Sequence, residues 1–156
     1  MRVKEVLSWV LWVGMALLVA LLLRGFVFDP ITVEGSSMIP TLNDGQYMLI
    51  EKISKHTGGI GRGDVVVIHL ENLPPYVKRV VAVGGDTVEV KDGALYVNGQ
   101  RQDESYLNEL EIRYTMEEQL IPEGYYFVMG DNRNNSSDSH SFGPVPLSQI
   151  MGKKLF

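Results

Sequence analysis

For its first two dozen residues the chain is almost unbroken apolar sequence; after that the rhythm changes. Val6 to Leu23 carries no charged side chain. As a helix this segment would be roughly 27 Å long at about 1.5 Å per residue, close to the hydrocarbon thickness of a bilayer. A removable leader would have a shorter apolar region followed by a small-residue cleavage site. Here Arg24-Gly25-Phe26-Val27-Phe28 follows, with no Ala-x-Ala pattern, so residues 5–24 read as an uncleaved anchor. Arg2, Lys4 and the terminal amine precede the span, and only Arg24 follows it closely. That bias places residues 1–4 in the cytoplasm and residues 25–156 beyond the membrane. Trp9 and Trp12 fall in the first turns, where interfacial aromatics collect.

Beyond the anchor, short alternating runs bounded by turn residues replace the helical pattern. Ile31-Thr32-Val33 and 46–50 read as strands on either side of a Gly- and Pro-flanked turn, and 56–63 as a loop. Val65 to Leu70 is a continuous apolar strand ending at a Pro74-Pro75 turn. Tyr76 to Val83 and Thr87 to Val90 are strands joined by Gly84-Gly85-Asp86. Asp92-Gly93 and Asn98-Gly99 bracket Ala94 to Val97 as hairpin turns. Residues 103–120 hold Glu104, Glu109, Glu111, Glu117 and Glu118 and read as a surface excursion. Tyr125 to Met129 is a strand feeding a polar run, 130–141. Without repeats or a splitting linker, the pattern predicts one compact, mainly antiparallel β domain behind a transmembrane helix.

Composition narrows the chemistry. A net charge of -5 without a basic stripe argues against a nucleic-acid partner. Lys153-Lys154 reads as a solvated C-terminal face. The absence of cysteine excludes disulfides, thiol catalysis and cysteine-ligated zinc. Three dispersed histidines argue against a zinc site of any other kind. His69 falls in an apolar strand and is expected to be partly buried, while His56 falls in a loop without a visible partner.

The remaining pairing able to run acyl transfer is a serine with a neutral lysine. Gly35-Ser36-Ser37-Met38-Ile39-Pro40 presents serine on a tight turn, and Lys78 lies among Val77, Val80 and Val81. A lysine ordinarily titrates near 10.4, so work as a base requires lowering it by ~2–3, at a cost of roughly 3–4 kcal/mol. Burial against apolar neighbours supplies this. Adjacent strand side chains point to opposite faces, so Lys78 can enter an apolar site while Arg79 turns away to meet an acid. Taken singly, Ser37 is equally a turn serine and Lys78 a surface lysine. Met38, Ile39 and Leu42 are either core or an apolar lip on the membrane.

Four blocks occur in order: 35–42 around Ser37, Arg62-Gly63-Asp64 with the apolar run behind it, 76–86 around Lys78, and Gly130-Asp131-Asn132-Arg133 running on to Ser139. Together they resemble the bacterial type I signal peptidase (leader peptidase) family in its short, single-anchor form, over nearly the whole chain. The resemblance implies a β-rich Ser–Lys protease core with one N-terminal transmembrane helix. It implies Ser37, rather than Ser36, as nucleophile and Lys78 as general base. It implies that Ser136 hydrogen-bonds the lysine amine, that Asp138 is a supporting acid, and that Asp131 and Arg79 form a bracing ion pair. Its expected partners are preprotein signal peptides and the lipid bilayer, with no cofactor or metal. An extended substrate would lie beside Ile31 and Val33.

Two positions depart from the family's pattern. Gly35 stands where some members have a serine that helps bind the oxyanion, leaving backbone N–H groups, that of Ser37 first, to do so. His140 stands where members often have arginine, and bears on the Arg79–Asp131 brace. The nearest rival reading is another Ser–Lys hydrolase of similar architecture: a self-cleaving repressor, against which the anchor argues, or a pilus-processing peptidase, which stays open. A rival of another class, a membrane-anchored β scaffold without catalytic activity, would have no reason to keep Ser37, Lys78 and Ser136 together.

Overall fold

The computed structural model describes residues 3–109 and 111–155. Arg2, which bears on the expected orientation, lies outside the described residues, as does the side chain of Arg24. Helix α1 (Val3–Phe26) comes first. Its Val3–Leu22 portion has a mean hydropathy of 2.1, none of it is buried, and it is long and apolar enough to cross a membrane. Only Val27 separates the helix from β1 (Phe28–Thr32), so the first strand begins at the helix end.

Eleven strands follow among the described residues, all paired antiparallel. Strands β1, β2 (Tyr47–Glu51), β3 (Val65–Ile68), β4 (Tyr76–Val83), β9 (Tyr125–Met129), β10 (Val145–Pro146) and β11 (Ile150–Lys154) make a seven-stranded sheet in the order β1-β2-β11-β3-β4-β9-β10. Strands β5 (Thr87–Lys91), β6 (Ala94–Val97), β7 (Gln100–Arg101) and β8 (Met116–Leu120) make a second, in the order β7-β6-β5-β8. Strand β4 bends through Gly84-Gly85 into β5 and so joins the sheets. Short helices α2 (Ser54–Thr57) and α3 (Ser139–Phe142) decorate the larger one.

Apolar alternation places the core. All four residues of β3 are buried: Val65 and Val67 pack with Val33, Met38, Leu42, Met48, Ile50 and Val77, whereas Val66 and Ile68 pack with Val80, Val128 and Ile150. A third cluster, including Val88, Leu95, Ile121 and Phe127, fills the space between the sheets. Met38 and Leu42 are therefore core, which settles that pair against a membrane lip; Ile39 is half-buried.

Several expectations change. Lys153 and Lys154 are not a solvated tail: β11 lies between β2 and β3, and Lys153 pairs with Asp64 at 2.9 Å. The acidic stretch 103–120 is more than a surface excursion, since Leu107 and Ile112 are buried and β8 closes the second sheet. Apolar side chains inside an acidic run carry too little periodicity to show in sequence. Strand β3 stops at Ile68, where His69 N–H turns to the Gln149 carbonyl, and the His69 side chain is exposed. His56 belongs to α2 rather than a loop.

Candidate active site

The turn 35–42 is fixed at both ends by what it buries and by what it bonds. Met38 and Leu42 drop into the core, and the Leu42 N–H closes on the Met38 carbonyl at 2.9 Å. Gly35 sits at φ +86°, a left-handed conformation that favours glycine, and donates to Asp44 Oδ1 at 2.7 Å. From across the fold, Asn132 N–H reaches the Ser37 carbonyl at 2.9 Å and Asn132 Nδ2 the Ser36 carbonyl at 3.1 Å. These bonds hold the backbone on both sides of Ser37 Oγ. Among the described residues nothing accepts from the Ser37 N–H.

Lys78 lies on β4 opposite Val66 and is 1% exposed. Its Nζ is 2.7 Å from Ser37 Oγ and 5.4 Å from the centre of the Tyr76 ring. Burial brings the amine down to about 8, against the upward pull of Asp138 and Asp131. A lysine so placed holds a usable share of neutral amine near physiological pH.

The next residue behaves oppositely. Arg79 makes a forked contact with Asp131, Nε to Oδ1 at 2.8 Å and Nη2 to Oδ2 at 2.7 Å. It also donates to the Gly63 carbonyl at 2.8 Å and to Thr41 Oγ1 at 3.2 Å, and it lies over the Tyr106 ring. Thr41 completes the knot by donating to Asp131 Oδ2. Burial would lower the guanidinium's pKa, but the hydrogen bonds and charge of Asp131 leave it raised. Lys78 and Arg79 thus both end on the 37–41 turn, one at Ser37 and the other at Thr41.

Gly130 ends β9 beneath this turn. A Cβ there would lie 2.5 Å from the Ser37 carbonyl oxygen and closer still to Ser136 Oγ, so the backbone comes near only because no side chain intervenes. Asp138, fully buried, takes the Gly130 N–H at 2.9 Å and the His140 Nδ1 at 2.7 Å. His140 therefore engages Asp138, and the Arg79–Asp131 pair stays intact without it.

Ser136 departs from expectation. It lines the same cleft as Ser37 and Lys78, but its hydroxyl packs against Gly130 and has no hydrogen-bond partner among the described residues. The expected bond to the lysine amine is not formed. Val33 also differs from expectation: its side chain is buried and its N–H and carbonyl already pair with Gln46 and Gly45 at 2.8 Å each. Ile31 is half-buried against the same cluster.

Residues not singled out from the sequence complete the support. Arg133, 1% exposed, joins Glu104 at 2.6 Å, the Gly130 carbonyl at 3.1 Å and Tyr106 at 3.2 Å. Asn132, Thr41 and Arg133 sit inside the recognised blocks, which was the signal available for them; nothing along the chain marks Glu104 as Arg133's partner. The cleft, about 520 Å³, is walled by Glu34, Ser36, Tyr76, Asn134 and Asn135 around the Ser37–Lys78 pair. Among the described residues no group of three or more His, Asp or Glu is placed to hold a metal ion.

A buried amine with a lowered pKa on a serine hydroxyl, beside a turn with a free N–H, is a hydrolase's arrangement, and relatives agree. The family described as "Signal peptidase, peptidase S26" matches residues 6–156. The chain belongs to this family. It is a signal peptidase I-type serine protease by descent. A signal peptidase IB of Staphylococcus aureus is 38% identical, with 98% of this chain and 89% of that one covered. A signal peptidase I of Bacillus licheniformis is 39% identical, over 98% and 88%. The crystal structure of a signal peptidase I from Enterococcus faecalis superposes with a TM-score of 0.55 at 31% identity, covering 60% of this chain and 95% of that one. The mainly antiparallel β architecture is that of this family.

Proposed function

We propose that this protein is a membrane-anchored endopeptidase that removes N-terminal signal peptides from translocated preproteins, with Ser37 as nucleophile and Lys78 as general base. The observation that carries the reading is the 2.7 Å approach of a buried, lowered amine to Ser37 Oγ. Neutral Lys78 takes the hydroxyl proton as Ser37 Oγ attacks the substrate carbonyl. The oxyanion forms against the Ser37 N–H. Lys78 then returns the proton to the leaving amine, and water hydrolyses the acyl-enzyme with Lys78 again as base. Asp131 and Arg79 brace the nucleophile turn, Asp138 holds Gly130 beneath it, and Ser136, which lines the same cleft, orients the amine during turnover.

Strand β1 is an edge of the larger sheet and supplies the substrate's rail. Val33 pairs inward with Gln46, so by alternation Ile31 also faces β2, while Pro30 and Thr32 turn their backbone groups to the open edge. Thr32 then offers main-chain bonds to an extended substrate, with half-buried Ile31 beside it, while Val33 supports the strand from the core. Residues 1–4 are a cytoplasmic tail, 5–24 the transmembrane anchor and 25–156 the extracytoplasmic domain, so the lipid bilayer holds enzyme and substrate on one surface. Mixing the detergent-solubilised protein with a model preprotein and sequencing the new N-terminus tests this. Cleavage at the signal-peptide boundary, lost in Ser37→Ala, is expected; no cleavage by the intact protein would contradict it.

A further inference from the structure

One charged side chain on the wall of the cleft is exposed, and the reaction as described does not use it. Lys78 is buried on Ser37, and Glu34 is the other charged residue of the lining; the rest are glycine, serine, asparagine and tyrosine. Glu34 is exposed, and its carboxylate takes no hydrogen bond and no ion pair among the described residues.

The backbone on both sides of Glu34 is fixed. Val33 donates its N–H to the Gln46 carbonyl and accepts from the Gly45 N–H, at 2.8 Å each. Gly35 N–H donates to Asp44 Oδ1 at 2.7 Å. Glu34 therefore stands where β1 has ended and the nucleophile turn begins, between Thr32 and Ser37. Space beside it is open, since a Cβ on Gly35 would meet nothing within 4 Å. Asp44 is exposed too and makes no ion pair among the described residues, so a second negative charge stands on the same turn. An exposed, unpaired carboxylate adds little to the fold. Its charge acts on what enters the cleft.

We propose that Glu34 is a specificity-determining residue: it selects signal peptides by the charge beside the cut, admitting neutral and basic side chains and disfavouring acidic ones. This deepens the reading of the cleft as a signal-peptide site and rests on it. A substrate extended along β1 to reach Ser37 Oγ passes Glu34 within a few residues of the bond to be broken, because Thr32 and Ser37 bracket it. A lysine there meets an unpaired carboxylate. A glutamate there meets a like charge, and the amine that could relieve it is buried against Ser37.

The test uses full-length, detergent-solubilised protein at low ionic strength. Model preproteins carry lysine or glutamate in turn at each of the few positions on either side of the cut. The quantity read is the lysine-to-glutamate ratio of kcat/KM at each position, from which the amount of folded enzyme cancels. The parent is expected to favour lysine roughly 3- to 10-fold at one or more positions, the combined attraction and repulsion of exposed charges. Glu34→Gln should bring that ratio toward one, and Glu34→Lys should carry it below one. Raising the salt to about 0.5 M should flatten the parent's preference. Ratios that agree at every position among the parent, Glu34→Gln and Glu34→Lys would overturn the proposal, because a merely structural Glu34 slows both substrates alike. A parent protein that leaves all of these preproteins uncut would instead contradict the endopeptidase reading, which separates the two failures.

Discussion

Lys78 and Arg79 are consecutive residues on one strand, both cations, both largely buried, and driven in opposite directions. Arg79 meets a carboxylate in forked geometry and stays charged. Lys78 meets a hydroxyl and a ring, and its nearest acids act only through space. Burial is common to the two, so burial alone does not make a base. What makes one is burial without an acid to accept the proton's charge. The strand's alternation lets one residue hold the turn rigid while the other is kept ready to react on it.

The comparison breaks most sharply at the reacting pair. Lys78→Arg should be as inactive as Lys78→Ala, each losing on the order of 10⁴-fold or more in kcat/KM, because arginine does not deprotonate in a protein. Ser37→Ala should match that loss, whereas Ser36→Ala should change the rate by less than about threefold. Preprotein cleavage assays on folded variants check all four; the reverse pattern for the serines would move the nucleophile.

The next effect is on stability and falls on the Arg79 side. Asp131→Ala strands a buried guanidinium and should cost about 3–5 kcal/mol, read as a lowered denaturation midpoint. Lys78→Met should do the reverse. The amine, ordinarily near 10.5, sits at about 8 in the fold, so at neutral pH the folded protein carries a penalty of about 3 kcal/mol. Between about 8 and 10.5 the unfolded chain still holds a proton that the folded one has released, so stability from this group rises with pH there. Lys78→Met should therefore melt higher than the parent at neutral pH, by a margin that shrinks as pH rises through that window. A variant that melts lower would mean the lysine is not under strain.

Ser136 gives the smallest effect. Its hydroxyl is buried without a partner. Ser136→Ala should thus leave stability unchanged or raise it by about 1 kcal/mol, while slowing cleavage roughly tenfold if the hydroxyl meets the amine during turnover. Unchanged cleavage would remove Ser136 from the mechanism.

The fold was legible where one period ruled the sequence. The unbroken apolar run gave α1, and Tyr76–Val83, bounded by Pro75 and Gly84, was read at its observed limits. Pairings that close over long distances were not. Strand β11 enters the middle of the sheet although its Lys153-Lys154 end looks like a surface, because Lys153 finds Asp64 some ninety positions earlier in the chain. Glu104 likewise looks solvated until Arg133 reaches it from the loop after β9. In the site, chemistry paired Ser37 with Lys78 as the one combination able to run acyl transfer, and the four ordered blocks, by their resemblance, nominated Asp131 and Arg79. Rotamers are another matter: the orientation of Ser136 depends on its close approach to Gly130, which no spacing along the chain encodes.

The central claim is a single proton equilibrium, and it can be observed directly. Following the Lys78 Nζ resonance of the wild-type protein by nitrogen NMR as pH is raised should give a midpoint near 8. A midpoint near 10.5, the ordinary lysine value, would contradict the account.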